Sequence, residues 1–195
     1  ASVRERMAPS LAYLMHDEMI PRLRELSSEK GFDLTPYVHT RKAVPEKGIE
    51  VFNDLPRYAM GYASLFNAIS FTTETHMLKP FPQRVRATHA FLTSTIDWMA
   101  ENQEAIELNR KEAKEWDMNM STFYYNYELQ NDSIPMLFKG YEHRYLKSEV
   151  TGDLRLKYFR DKPFEKEVPY FNHYEAQDSM DIPPYLFVGG QCEEV

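Results

Sequence analysis

The 195-residue chain has a single cysteine, no long apolar run and no excess of positive charge. Cys192 alone excludes an internal disulfide framework and a zinc site built from several thiolates, and no histidine lies beside it to activate the thiol. A membrane-spanning helix needs ~20 predominantly apolar residues, and no stretch approaches that length. Lys and Arg number 23 against 30 Asp and Glu, which argues against a protein that binds nucleic-acid phosphates.

The motifs of several enzyme classes are also missing. No glycine-rich loop precedes a helix, as a phosphate cradle requires, and no Gly-x-Ser-x-Gly segment marks a serine nucleophile. No histidine has a second His or Glu at the close spacing of a His-Glu-x-x-His helix. The six histidines are His16, His39, His76, His89, His143 and His173. The sequence therefore predicts no metal ligands within the chain.

The 43% of apolar residues follow helical and strand patterns that are typical of a globular protein. Apolar residues at three- and four-residue steps predict a helix from Val3 to Lys30, kinked or broken at Pro21, and a longer helix over about 82–114. The longer helix carries the stripe Val85, Leu92, Ile96 and Met99, and His89 on this stripe is interpreted as a core or rim residue. The shorter elements predicted are strands over 37–41, 49–52 and 69–75, a turn at 45–48 and a short helix over 62–67.

The character of the chain changes after Trp116, where aromatic residues become dense and helical periodicity ends. Alternating runs over 154–159 and 168–171 predict a small β-rich module. Turn signals are at 139–140, 151–153 and 161–163. The predicted fold is therefore α/β: part of a mixed sheet covered by helices over residues 1–117, followed by a small β-rich module over residues 118–195.

Glu74 is the candidate functional residue that the patterns themselves provide. It lies near the end of the predicted strand 69–75, before a turn bounded by prolines. Ligands of open α/β sheets bind beyond the carboxyl ends of strands. The alternative is an edge-strand glutamate that forms an ion pair with Lys79 or Arg84, and the pattern alone leaves both interpretations open.

Two segments resemble the last part of the catalytic domain of bacterial zinc carboxypeptidases, the carboxypeptidase A-like metallopeptidases. Arg57–Tyr62 reads R-Y-A-M-G-Y and matches an R-Y-x-x-G-Y pattern, and Glu74–Phe81 reads E-T-H-M-L-K-P-F and matches E-T-H-x-L-K-P-(Y/F). The resemblance covers residues 1–113 and continues more loosely into the β-rich module. It implies a carboxypeptidase-like mixed sheet covered by helices.

The resemblance also implies a reaction and a cofactor. In the family, the glutamate at this position is the general base that takes a proton from zinc-bound water, a role that falls on Glu74. A tyrosine on the preceding loop closes over the substrate, with Tyr58 the best match and Tyr62 the second. The implied substrates are peptide C-termini. By analogy the protein is exported to the periplasm or secreted, although no signal peptide is visible at Ala1.

One departure from the family limits this assignment. The zinc motif His-x-x-Glu is missing, since His16 is followed by Asp17, Glu18 and Met19, and His39 reaches Lys42. The chain thus resembles the C-terminal part of such an enzyme. We expect the zinc ligands and the arginines that bind the substrate carboxylate to lie outside it, and we expect the isolated chain to be inactive.

Two alternatives stay open. The same scaffold serves N-acyl amino acid deacylases, whose distinguishing arginines would lie upstream. A non-catalytic module that binds peptide or glycan would instead expose aromatic side chains of the β-rich segment: Tyr124, Tyr125, Tyr127, Tyr141 and Tyr145. We expect these five tyrosines to fill a small core rather than to bind a ligand.

Overall fold

The structure, a computed structural model, describes residues 2–185, so Cys192 lies outside the described residues. Within this range the chain is mixed α/β, as predicted, with helices, a four-stranded mixed sheet and a separate two-stranded antiparallel sheet near the C-terminus. The described residues form two compact units, one of 2–34, 53–130 and 173–185 and the other of 35–52 and 131–172. The boundary expected between residues 117 and 118 stays a prediction.

The first helical region is continuous from residue 9 to residue 29. A 3-10 turn at Arg4–Arg6 precedes α1 (Pro9–Tyr13), a π-helical stretch (Leu14–Met19) and α2 (Ile20–Glu29). Pro21 has no amide hydrogen and crowds the carbonyl four residues back. The chain accommodates it with the wider turn just before it, where the Ile20 amide donates to the Met15 carbonyl, five residues back. The predicted irregularity at Pro21 is therefore a π-helical stretch.

The apolar stripe of this region forms the core of the first unit, as its spacing indicates. It packs against two long helices, α4 (Phe81–Glu101) and α5 (Gln103–Met118). The cluster against α5 consists of Met7, Ala8, Leu11, Ala12, Met15 and Ala113, and the cluster against α4 consists of Leu14, Met19, Leu23 and Trp98.

The helix predicted over 82–114 is in fact two helices, because Asn102 leaves the helical conformation at φ −119° and ψ 24°. The face of α4 that is buried carries Ala90, Ser94 and Trp98. The apolar stripe recognised in the sequence is instead exposed, with Ile96 at 63%. His89 is exposed as well, so of its interpretation as a core or rim residue the core alternative is wrong. The structure thus leaves an apolar face of α4 facing solvent, and no helix within residues 2–185 is long and apolar enough to cross a membrane.

The strand predicted over 69–75 is wrong, because residues 68–76 have no regular secondary structure. The alternation of apolar and polar residues in this segment still marks its buried side chains, because Ile69 and Phe71 pack against both core clusters. A strand needs a hydrogen-bonded neighbour. None of the strands in the described chain pairs with this segment. Its side-chain pattern is therefore that of a half-buried strand without the backbone ladder.

The remaining elements are strands. They are β1 (His39–Thr40), β2 (Ile49–Glu50), β3 (Thr122–Leu129), β4 (Ile134–Lys147), β5 (Leu154–Phe171) and β6 (Tyr174–Asp181). The second unit contains the sheet β1-β2-β5-β4, in which β2 runs parallel to β5 and the other pairs are antiparallel. The turn predicted at 45–48 is confirmed, and Gly48 at φ +117° allows the Phe171 ring to pack where a Cβ would lie 2.6 Å from it.

Two of the three turns predicted in the β-rich segment are wrong. Gly140 lies inside β4, opposite Phe164, and the rings of Phe138 and Phe164 occupy the space beside it. Pro163 lies inside β5 next to a break in the β4–β5 register between Tyr141 and His143, where a residue without an amide hydrogen is tolerated. The third turn, at 151–153, joins β4 to β5 as predicted.

The tyrosines expected to fill a small core are mostly exposed. Tyr124 and Tyr125 on β3, and Tyr141 and Tyr145 on β4, are exposed, so the expectation is wrong for these four. Tyr127 is half-buried, and its burial raises the pKa of its hydroxyl. β3 pairs with β6 alone, and a two-stranded sheet has little interior to offer.

His16 is a half-buried titratable group in the first unit. Its Nε2 lies 3.0 Å from the carbonyl oxygen of Ser2, to which it donates in the neutral ring. Burial, and secondarily the charge of Arg4, lowers the pKa of His16 to about 4 from 6.5. Between these values the unfolded chain binds a proton that the folded chain does not bind, so the free energy of unfolding decreases as the pH falls from 6.5 toward 4.

Replacing His16 with Gln should flatten this pH dependence. The Gln amide keeps a donor for the Ser2 carbonyl but cannot titrate. The decrease of at most about 3 kcal/mol in the free energy of unfolding that the pKa shift of His16 implies at low pH should therefore disappear. Denaturant unfolding at pH 7 and pH 4.5 measures the difference. His89→Gln, at an exposed position, is the matched control. An H16Q protein with the same pH dependence as the original chain would contradict the assignment.

Candidate functional site

The R-Y-x-x-G-Y segment forms the start of a short helix, α3 (Ala59–Ser64), with Tyr58 at its N-cap position. The Arg57 guanidinium lies over the Tyr58 ring, 4.9 Å from its centroid, and donates to the Tyr58 hydroxyl at 2.8 Å. Tyr62 lies in the helix and is exposed. The tyrosine that the resemblance favours is therefore held by its own neighbour, whereas Tyr62 packs against Phe66, with the ring centroids 5.1 Å apart.

Steric crowding explains why glycine occupies this position of the motif. Gly61 is buried, and a Cβ at this position would lie within contact distance of the carbonyl oxygens of Asp54 and Leu55. These are backbone atoms and cannot move aside as a flexible side chain would. Asp54 is itself 1% exposed, accepts a hydrogen bond from the Ser2 hydroxyl at 3.3 Å, and has its pKa raised by burial. The close approach at Gly61 thus packs α3 against the backbone of Asp54 and Leu55.

Asn67 ends α3 and directs the chain toward Glu74. It adopts a left-handed conformation at φ +52°, its amide donates to the Ser64 carbonyl, and the Ala68 amide donates to the Ala63 carbonyl. This pair of bonds is the Schellman arrangement that terminates helices. The Asn67 side chain also donates to the Asp117 carboxylate on α5. The exit from α3 is therefore tied to the long helix.

Glu74 lies in the segment that follows Asn67. This segment is anchored by Ile69 and Phe71, which pack against the core clusters. Phe71 packs edge-on against Phe91 of α4, with the ring centroids 5.8 Å apart. Three residues later the Glu74 side chain is exposed, and it forms no hydrogen bond or ion pair with residues 2–185. The alternative from the sequence, an edge-strand ion pair with Lys79 or Arg84, is therefore wrong for the described chain.

The two residues after Glu74 are both held in place. Thr75 is half-buried, and its hydroxyl accepts a hydrogen bond from Arg84 Nε at 3.3 Å. His76 begins a turn in which the Lys79 amide donates to the His76 carbonyl at 3.0 Å. The Leu78 amide donates to His76 Nδ1 at 3.2 Å, so the ring closes the same turn from its side chain. Glu74 is thus a free carboxylate beside two anchored neighbours.

Arg84 is one of the two cations that the alternative interpretation pairs with Glu74. Its hydrogen bond goes to the neighbouring Thr75 hydroxyl instead. A helical wheel of α4 could have indicated this, because Arg84 lies on the first turn of the helix on a half-buried face. The guanidinium therefore supports the backbone at Thr75 and leaves the carboxylate unpaired.

The turn after His76 presents an apolar tip. Met77 is 78% exposed, Leu78 68% and Phe81 73%, and Pro80 takes the N-cap position of α4. Exposed side chains of this size in a row are unusual on a monomer surface. The candidate site thus consists of a free carboxylate, an imidazole and an apolar rim.

A shallow depression in the same unit has different chemistry. It has a volume of about 430 Å³ and is lined by Phe66, Asn67, Arg110, Lys111 and Lys114. Its lining has three cations and no carboxylate or imidazole, so it lacks the carboxylate that the sequence analysis singles out. We therefore place the candidate site at Glu74.

The site does not supply a zinc centre by itself. A catalytic zinc ion takes three protein ligands. Among residues 2–185 no three His, Cys, Asp or Glu side chains are grouped to hold a metal ion. Glu74 and His76 are the two residues of these types in the segment 68–80. A catalytic zinc ion at this site would therefore take at least one ligand from outside this segment.

Comparisons of the chain with protein-family models, with curated proteins and with solved structures gave no significant match.

Replacing Gly61 with Ala should destabilise the first unit. Overpacking against the Asp54 and Leu55 carbonyls costs more than the gain in helix propensity, for a net loss of about 2 kcal/mol. Denaturant unfolding at constant m value measures it. Gly31→Ala is the matched control, because its Cβ meets nothing within 4 Å and the left-handed backbone at φ +85° costs about 1 kcal/mol. Equal losses in the two variants would contradict the steric role of Gly61.

Proposed function

We propose that this chain is the C-terminal part of a zinc metallocarboxypeptidase-like hydrolase that removes C-terminal residues from peptides, with Glu74 as the general base. The observation that carries the proposal is the state of Glu74: an exposed carboxylate without a hydrogen bond or ion pair to residues 2–185, beside anchored Thr75 and His76. A general base needs an unpaired carboxylate at a defined position. The resemblance of the flanking E-T-H-M-L-K-P segment to the family motif gives the reaction class.

The unpaired segment before Glu74 supports the same proposal. Residues 69–71 alternate as in a half-buried strand, with Ile69 and Phe71 in the core, yet no strand of the described chain pairs with them. The Ser70 hydroxyl is buried without a hydrogen-bond partner among the described residues. Buried polar groups are rarely left unpaired. A neighbouring strand from further polypeptide would supply the missing ladder.

The exposed stripe of α4 supports it independently. Leu92, Ile96 and Met99 lie on one face of a 21-residue helix and are exposed. Each would contribute about 1.5–3 kcal/mol if it were buried. In a sheet covered by helices, such a stripe packs against the sheet. We infer that further polypeptide of the same protein covers this face.

The chemistry that Glu74 provides is proton transfer. Its carboxylate accepts a proton from the water that attacks the peptide carbonyl and delivers it to the leaving amine. The zinc ion of the family lowers the pKa of such a water from 15.7 toward 7. The described residues offer no ligand set for that ion. In the proposal its ligands, and the arginines that bind the substrate carboxylate in the family, belong to residues outside this chain.

Tyr58 is the tyrosine that we propose to cover the substrate. Its ring and hydroxyl are both held by Arg57, which limits the conformations that it samples. Tyr62 is exposed in the same helix and is the second candidate. Phe substitutions at the two positions distinguish them, since the closing tyrosine loses its hydroxyl contact with substrate.

Replacing Glu74 with Gln tests the proposal in the full-length protein that carries this chain. Gln has the same shape but cannot accept the proton, so kcat should fall ~10²–10⁴-fold with little change in KM. Cleavage of peptides with free C-termini, followed by mass spectrometry, measures the loss. The matched control is Glu112→Gln, an exposed position on α5, which should leave kcat unchanged.

Two results would overturn the proposal. One is a full-length protein that retains its kcat after Glu74→Gln. The other is stoichiometric zinc with peptidase activity on the isolated 195-residue chain, since the described residues provide no ligand group for zinc. Removal of metal from the full-length protein with a chelator should abolish the activity, and zinc should restore it.

A further inference from the structure

We propose that His76 is a substrate-binding residue of this site and that its Nε2–H donates a hydrogen bond to the C-terminal carboxylate of the peptide. The inference rests on the proposed function and adds a residue to it. It is based on the hydrogen bond that the ring already makes and on the position of the ring two residues after Glu74.

The bond to Leu78 assigns the tautomer of His76. A backbone amide is a donor, so the Nδ1 atom that receives it at 3.2 Å is the unprotonated nitrogen of the neutral ring. The ring proton is then on Nε2. In the described chain Nε2 has no hydrogen-bond partner, and the side chain is exposed. His76 therefore presents one fixed donor outward from the turn.

The surroundings keep this donor in position. The turn is closed a second time by the Lys79 amide on the His76 carbonyl, at 3.0 Å. Pro80 follows at once as the N-cap of α4, and Thr75 before the ring is bound to Arg84 on the same helix. One backbone–backbone bond and two bonds that involve side chains thus fix both ends of the segment. A donor held in this way loses little conformational freedom when a ligand binds.

The chemistry of the substrate fits the donor. A peptide C-terminus has a carboxylate with full negative charge in the ground state, and hydrogen bonds to charged groups are stronger than those between neutral groups. The Nε2–H donor of His76 supplies such a bond, whereas Glu74 has to accept a proton. His76 therefore acts on binding and Glu74 acts on proton transfer.

Two substitutions separate the donor from the turn. His76→Asn places an amide oxygen near the position of Nδ1, so it keeps the acceptor for Leu78 but removes the outward donor. His76→Gln places an amide nitrogen near Nε2, so it keeps the donor but loses the acceptor. In the full-length protein we expect His76→Asn to raise KM about tenfold with kcat little changed, and His76→Gln to raise it less.

Direct binding gives a readout that does not depend on turnover. In a Glu74→Gln background, the Kd of a peptide with a free C-terminus should rise about tenfold on adding His76→Asn. The same peptide with an amidated C-terminus should bind equally weakly with and without that substitution. Imidazole ¹⁵N shifts of the full-length protein should show the Nε2–H tautomer when the ring is neutral.

The outcomes distinguish the role of His76 from that of Glu74. Unchanged KM and Kd in His76→Asn, a larger effect in His76→Gln than in His76→Asn, or an Nδ1–H tautomer would overturn the role of His76 while leaving Glu74 as the base. Full kcat in Glu74→Gln would overturn the proposed function and this inference together. A kcat loss in Glu74→Gln combined with a KM rise in His76→Asn would support both.

Discussion

The packing of Ile69 and Phe71 against the two helical clusters is the constraint on which the candidate site depends. These two side chains fasten a segment without regular secondary structure to the core formed by the first helical region, α4 and α5. Everything from Ser70 to the turn at His76 takes its position from that attachment and from the bond between Arg84 and Thr75. Apolar burial sets where the segment lies, and a single hydrogen bond sets how it leaves the core.

The same arrangement separates structural groups from reactive ones. Polar side chains near the site that have partners, such as Thr75 and Asn67, fix the backbone, and the bonds they make tie the segment to α4 and α5. Glu74 has no such partner among residues 2–185. Arg84 Nε donates to the Thr75 hydroxyl and not to the Glu74 carboxylate.

The sequence predicted the elements whose signal is local and missed those that depend on a neighbour. The stripe from Met7 to Leu23 is buried as its helical spacing indicates, because it packs against α4 and α5. The alternation at Ile69 and Phe71 correctly marked buried side chains, but a strand also requires a paired backbone, which no local pattern reports. The turns predicted at Gly140 and Pro163 are wrong because both residues lie inside the long β4–β5 hairpin. Gly140 lies beneath the rings of Phe138 and Phe164, and Pro163 lies at a break in the strand register.

The errors at α4 and at residues 69–75 have one physical cause. In both places the sequence has the pattern of an element that packs against a neighbour, and the described chain does not supply that neighbour. The α4 stripe with Ile96 is exposed. The Ser70 hydroxyl is buried without a hydrogen bond. Apolar helix faces and strand-like alternation arise where burial is required, since neither improves stability in water. The proposal that further polypeptide completes the site accounts for both mismatches.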